Sequence, residues 1–163
     1  MRIGVMSDTH DRLDAIETAI DFFNRVGIDD VLHAGDLVSP LAVPSFSRLK
    51  AKLHYVWGNN EGDREFVRSR FGEIGIVPLG DFAVLELGGR TIALLHGTYE
   101  HIVDSLVKCG RFDIVVRGHN HQAEIVAGKT LLVNPGEVCG YLSGRQTVAL
   151  IDLNKMEAEI VEL

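Results

Sequence analysis

Through the first 75 residues, short apolar runs alternate with amphipathic stretches, and each run ends on a cluster of small polar residues. Residues 3–6 are an apolar run of buried-strand type. Residues 14–26 change to helical period, with Leu13, Ile16, Ile20 and Phe23 at spacings of three and four. Asp14 followed by Glu17 reads as a capping box, and Gly27 as a left-handed stop. Val31-Leu32-His33 predicts a second strand, followed by a Pro-bounded helix through about Lys50. Residues 53–57 predict a third strand and residues 64–71 a helix rich in surface charge. Successive strand–helix units predict a parallel sheet.

After Gly75 the texture changes. Residues 82–87 and 91–95 flank Gly88-Gly89, a dipeptide suited to a two-residue hairpin turn, so antiparallel strands enter here. A helix over residues 99–108 ends at Gly110, and Ile114-Val115-Val116 leads into Gly118-His119. Residues 123–127, 131–133, 147–153 and 158–161 supply the remaining strands, with Gly128-Lys129 and Asn154-Lys155 as turns. The pattern predicts a mixed α/β (α+β) fold of four layers, αββα, in which two mixed sheets pack face to face with helices outside. No repeat, low-complexity tract or linker interrupts it, which predicts a single domain over residues 1–163.

A hydrophobic content of 46% with 24% charged residues is that of an ordinary globular chain and excludes disorder. Net charge is −7, and Lys and Arg are scattered singly, which argues against nucleic acid as a partner. No apolar stretch approaches the length of a membrane span. Cys109 and Cys139 form no CxxC pair and suggest no disulfide framework, and the N-terminus turns polar at Ser7-Asp8, too soon for a signal peptide. A cytoplasmic location is expected. Whether copies of the chain associate as a homo-oligomer is left open.

The chemistry lies in five clusters where apolar runs end: Asp8-Thr9-His10, Gly35-Asp36, Gly58-Asn59-Asn60, His96-Gly97 and Gly118-His119-Asn120-His121. As candidate donors they offer two carboxylates, the Asn59 amide and four imidazoles. One ion could not use so many donors; a pair of divalent cations bridged by a carboxylate could. In open α/β sheets, ligand sites form beyond the carboxyl ends of strands, and Asp8, Asp36, Asn59, His96 and His119 all fall at such ends. The mixed nitrogen and oxygen set favours Mn, Fe, Co, Ni or Zn over Mg.

In this order DxH, GD, GN, HG and GHxH resemble the calcineurin-like metallophosphoesterase superfamily, and within it the small phosphodiesterases of the YfcE type. The likeness runs from Ile3 to about Gly144 and includes Asn134-Pro135-Gly136-Glu137. It implies the metallo-dependent phosphatase-like fold, with Asp8, His10 and His121 on a first metal, Asn59, His96 and His119 on a second, and Asp36 bridging. It further implies a manganese-type cofactor, a small phosphoester substrate, and hydrolysis of phosphodiesters by metal-activated hydroxide. Asp36, Asn59, Asn60 and His96 are the expected catalytic residues. Many superfamily members follow Gly-Asn with a His that protonates the leaving group; this chain has Asn60, then Glu61. Asn cannot act as a general acid, so activated aryl phosphodiesters are expected to turn over better than alkyl phosphomonoesters.

Other residues have plainer roles. His33 is expected to support the site without ligating, His54 to be structural, and His101 to be solvated. Cys139 and Leu142 are expected to pack, with Tyr141 a weak candidate for substrate contact. Two rival functions share the resemblance. One is an interaction scaffold like the retromer subunit, disfavoured because all seven donor positions carry competent groups. The other is a nuclease, disfavoured by the short acidic chain.

Overall fold

The computed structural model describes residues 1–163. In chain order its elements are β1 (Arg2–Met6), α1 (Leu13–Val26), β2 (Asp30–His33), a 3-10 helix (Val43–Arg48), β3 (Lys52–Tyr55), α2 (Arg64–Glu73), β4 (Phe82–Leu87), β5 (Arg90–Leu95), α3 (Glu100–Cys109), β6 (Ile114–Val116), β7 (Ala123–Val126), β8 (Leu131–Pro135), β9 (Thr147–Asp152) and β10 (Glu157–Glu162). They form two five-stranded sheets, ordered β10-β9-β1-β2-β3 and β4-β5-β6-β8-β7. Each has a parallel centre, β1-β2-β3 and β5-β6-β8, with antiparallel strands added at its margins.

Strand alternation sets the layers. Ile3, Val5 and Leu32 of the first sheet meet Ile92, Leu94, Ile114 and Val116 of the second in a buried inter-sheet core. On the outer face of the first sheet, Met6, Val31 and Tyr55 pack against Ile16, Ile20 and Phe23 of α1 and Phe71 of α2. On the outer face of the second, Ala93, Leu95 and Val115 pack against Val103 of α3 and Phe112. The result is the four-layer αββα sandwich of two mixed sheets expected from the sequence. Because both parallel centres run the same chemistry-bearing ends toward one edge of the sandwich, the loops after β1, β2, β3, β5 and β6 share one rim.

Local expectations fare unevenly. Gly27 ends α1 in the left-handed conformation at φ 71°, as read from the sequence. The capping box is not formed: Arg12 is the N-cap, makes no side-chain cap bond, and pairs its guanidinium with Asp14 at 3.2 Å. The Pro-bounded helix is only the six-residue 3-10 segment, since Pro40 and Pro44 remove amide donors that an α-helix would need. β3 stops at Tyr55, two residues short of the predicted end, because the Trp57 amide leaves the ladder to donate to the Gly80 carbonyl at 2.8 Å.

Candidate metal centre

Each donor-bearing cluster follows a strand of the shared rim. Asp8 and His10 come after β1, Asp36 after β2, Asn59 after β3, His96 at the end of β5, and His119 and His121 after β6. The loops hold an unusual backbone: Asp8, His10, Asp36, His119 and His121 all have φ between 41° and 75°. Left-handed φ is uncommon for non-glycine residues and costs free energy, so five instances among the donor positions mark loops held by their surroundings. They are tied together by main-chain bonds, Asp8 N–H to the Gly35 carbonyl and His10 N–H to the Asp36 carbonyl, both at 3.0 Å.

Glycine is needed where these loops touch. A Cβ on Gly58 would lie 2.0 Å from Asp36 Oδ1, and one on Gly118 would lie 1.9 Å from Ser7 Oγ and 2.6 Å from Asp8 Oδ2. The two carboxylates therefore rest directly on bare backbone.

At the centre, His10 Nε2 lies 3.6 Å from Asp36 Oδ2 and 3.8 Å from Asp8 Oδ1. His96 Nε2 lies 3.3 Å from Asp36 Oδ1, and His121 Nε2 lies 3.3 Å from Asp8 Oδ1. The rings pair as His10 with His121 and His96 with His119, each pair with centroids 5.1 Å apart. Asn59 is exposed at the edge, its Oδ1 accepting a long 3.4 Å bond from Thr98. Asp8 and Asp36 are buried, and Asp36 is gripped by the Asn60 amide N–H and side-chain Nδ2 at 2.8 and 2.7 Å.

The donor atoms suit cations rather than one another. His96 Nδ1 lies 2.7 Å from the Ala34 carbonyl, which only accepts, so Nδ1 carries a proton and Nε2 is the nitrogen turned toward a carboxylate oxygen. His121 repeats this, with Nδ1 2.6 Å from Glu137 Oε2 and Nε2 toward Asp8. Asp8 Oδ1, His10 Nε2 and His96 Nε2 are buried without any hydrogen-bond partner. Imidazole nitrogens and carboxylate oxygens that face one another with no hydrogen-bond partner form a donor set that suits a cation between them. Side-chain atoms of Asp8, His10 and Asp36 converge within 4.8 Å, as do those of His10, His121 and Cys139.

Protonation responds to the same field. Contact with Asp8, against burial and with help from Asp36, raises the His10 imidazole above its usual range. Burial acts to lower His96, but Asp36 and Asp8 outweigh it and the net shift is upward. Burial likewise opposes the Asp36 charge, yet His96 and the Asn60 bonds hold that carboxyl far below the carboxylate range. His119 is lowered by burial and by His96.

Supporting residues complete the picture. Burial drives His33 down to about 3, leaving it neutral, with Nε2 at 3.2 Å from Thr9 Oγ1 and Nδ1 accepting the Gly35 amide. It braces two site loops without ligating. His54 pairs with Asp30 at 2.7 Å, far from the crevice chemistry, and His101 is exposed. Asn60 spends its amide on Asp36. Cys139 packs as expected, but Leu142 does not; it is 76% exposed.

Three neighbours of the site were given no role in it from the sequence. The Glu137 carboxylate orients His121 and also accepts Cys139 Sγ and the amides of Tyr141, Leu142 and Ser143. Burial opposes its charge, but the Ser143, His121 and Cys139 contacts hold it down to about 2. Arg117, fully buried, donates to the carbonyls of Gly97 and Gly118 and to Glu100, linking the two histidine loops to the start of α3. Cys139 brings a thiol beside His10 and His121. Only Glu137 had a local signal, the Asn-Pro-Gly-Glu turn.

A double-sheet sandwich with imidazoles and carboxylates converging at one rim defines a metal-dependent hydrolase scaffold. Residues 1–156 match the calcineurin-like phosphoesterase superfamily domain, and the chain belongs to that superfamily. It is 35% identical to a phosphodiesterase of Methanocaldococcus jannaschii over 159 residues, 96% of each chain. Its fold superposes on a solved archaeal phosphodiesterase with a TM-score of 0.94 at 34% identity over the whole of both chains. Two more distant structures share the fold with a TM-score of 0.71 and 99% coverage of this chain: the zinc complex of Vps29 from Entamoeba histolytica, 20% identical over 99% of its chain, and the YfcE phosphoesterase of E. coli, 18% identical over 98% of its chain.

Proposed function

We propose that the protein is a phosphodiesterase acting on small phosphodiesters with two divalent cations, manganese foremost and Ni, Co, Fe or Zn as alternatives. In this reading residues 1–163 form one catalytic domain that works in the cytoplasm. Asp8, His10 and His121 hold one cation, Asn59, His96 and His119 the other, and Asp36 bridges. The observation that carries it is the set of buried, partnerless atoms on Asp8, His10 and His96 around Asp36. When bound, the cations supply Lewis acidity, acidifying water and offsetting charge that builds on a phosphoryl group.

The chain's own residues position and fix protonation states. Asp36 stays anionic, oriented by Asn60. Ala34 and Glu137 set the ring orientation of His96 and His121 and keep Nε2 turned inward. Neither residue that follows Asn59 stands ready to protonate a departing alkoxide. Asn60 is an amide, and Glu61 is buried with Oε1 engaged by the Tyr55 hydroxyl and the Leu37 amide. Leaving groups of low pKa need no such acid, which favours activated aryl diesters. No helix is long and apolar enough to cross a membrane.

The scaffold alternative finds less support, since all seven donor positions carry competent groups and the tight packing of Gly58 and Gly118 holds the two carboxylates in place. The deciding experiment is an activity matrix on chelator-treated protein reloaded with Mn, Ni, Co, Zn or Mg and offered aryl diesters and alkyl monoesters. Metal-dependent turnover of diesters that Asp36→Ala and His119→Ala abolish is expected. Inactivity with every metal, or full activity in those variants, overturns the proposal.

A further inference from the structure

A cleft of about 640 Å3 adjoins the crevice on the side of Asn59 and His96, which line both. It is within the range of about 300–1,000 Å3 typical of small-molecule sites. Trp57, Phe82, Leu95, Tyr99, Ile102 and Leu106 supply its apolar surface. Phe82, Tyr99 and Ile102 are 43%, 71% and 50% exposed, so three large side chains from β4, the loop after β5 and α3 leave apolar surface open around one cavity.

The polar groups say what kind of ligand fits. Asn59 and His96 belong to the cation site, where a phosphoryl group sits. The only cationic side chain on the cleft, Arg64, is already committed: it bonds Asp81 at 2.8 Å and the Gly58 carbonyl at 3.0 Å, with its guanidinium 5.5 Å over the Trp57 ring. A second anionic group would gain little from a cation so neutralised, whereas a flat apolar group would cover exposed rings.

We propose that this cleft seats one ester arm of the substrate and that the arm is a flat aromatic group. The assignment rests on the phosphodiesterase reading and narrows its substrate class. It is separate from any effect of leaving-group pKa, because it concerns binding of an arm rather than bond cleavage.

Two measurements test it. Trp57 is the only tryptophan, so its fluorescence reports on the cleft directly. Titration of the Mn-loaded protein with 4-nitrophenylphosphonate, which cannot be hydrolysed as an ester, is expected to give saturable quenching that methylphosphonate does not. Tyr99→Ala and Ile102→Ser, both at exposed positions outside the cation set, are expected to weaken that binding about fivefold or more. The second measurement compares p-nitrophenyl phenyl phosphate with methyl p-nitrophenyl phosphate, which share a leaving group. An aromatic non-leaving arm in the cleft gives the phenyl ester about tenfold higher kcat/KM, mostly through KM, and the variants erase the difference. A leaving arm in the cleft makes both esters lose equally in the variants, which also supports the proposal. Quenching absent or unchanged in the variants, with unchanged kinetics, overturns it. Saturable, variant-sensitive quenching without any diester hydrolysis would refute the phosphodiesterase reading, and with it the ester-arm assignment, leaving only the cleft's affinity for an aromatic group.

Discussion

Replacing Gly58 by alanine tests the bridging role of Asp36 without touching a donor atom. The new Cβ would fall 2.0 Å from Asp36 Oδ1, 2.4 Å from its amide nitrogen and 2.8 Å from Cγ. A carbon and a non-bonded oxygen rest about 3.3–3.6 Å apart, so full relief at Oδ1 needs roughly 1.5 Å of movement. A rotamer change cannot provide it, because the clash includes the Asp36 backbone and because Asn60 pins both carboxylate oxygens. The loop itself must shift. Overpacking of this kind costs about 1–3 kcal/mol, which for a chain of this size lowers Tm by roughly 3–10 °C. The catalytic effect is larger, since a misplacement of about 1 Å costs on the order of 100-fold in rate. Calorimetric Mn titration should show weakened binding, and kcat/KM on bis(p-nitrophenyl) phosphate should fall about 100-fold at saturating metal. Gly62→Ala is the control: its Cβ would meet only the Val38 carbonyl at 3.5 Å, an ordinary contact, and should be neutral. If Gly58→Ala bound two Mn ions with unaltered affinity and turned over within threefold of the parent, Asp36 would not be the bridge.

Other expectations follow from the surroundings of the crevice. Glu137 is buried with its pKa lowered from 4.5 to about 2, so its stabilisation is present above pH 4.5 and is lost as pH falls toward 2. It amounts to about 3 kcal/mol, and urea unfolding of chelator-treated protein should show a loss over that window that Glu137→Gln lacks; parallel curves would contradict it. Burial, then Glu137, pushes the Cys139 thiol up to about 12, while Cys109 is exposed. Iodoacetamide at pH 8 should therefore alkylate Cys109 alone by peptide mass mapping, and equal labelling would show that Cys139 is accessible. Manganese at about 100 times its Kd should add about 2.7 kcal/mol per site, and each site should raise Tm by roughly 5–10 °C. Asp36→Asn should abolish that rise in a thermal scan, and its persistence would place the ions elsewhere.

What could be read from the chain depends on how far each feature reaches. The helix period of Ile16, Ile20 and Phe23 is local, and α1 forms where it says. The layer order needs only strand alternation and the change of texture after Gly75. The capping box failed because the preceding loop arrives in left-handed turns at His10 and Asp11 and delivers Arg12, not Asp14, to the helix start. The 3-10 segment was misread because Pro spacing marks a helix start without showing that its donors run out. Donor residues were legible because each sits in a short polar cluster at a strand end. Arg117 and Cys139 were not, since what they touch lies in other loops or other layers. The aromatic cleft was equally hidden: Trp57, Phe82 and Ile102 come from the loop after β3, β4 and α3 and look like core residues one at a time.

Seven of the eight non-glycine residues with left-handed backbone, Asp8, His10, Asp11, Asp36, Val38, His119 and His121, crowd the loops of a single rim; the eighth is Met156. At about 1 kcal/mol each, their combined penalty rivals the entire net stability of an ordinary domain. The twin β-core must therefore be overbuilt relative to a protein with relaxed loops. A non-donor such as Val38, β-branched and held at φ 90°, then becomes a lever: glycine there should make the chain hardier while sparing its chemistry, and a weakened inter-sheet core should fail first at the rim, long before the sheets come apart.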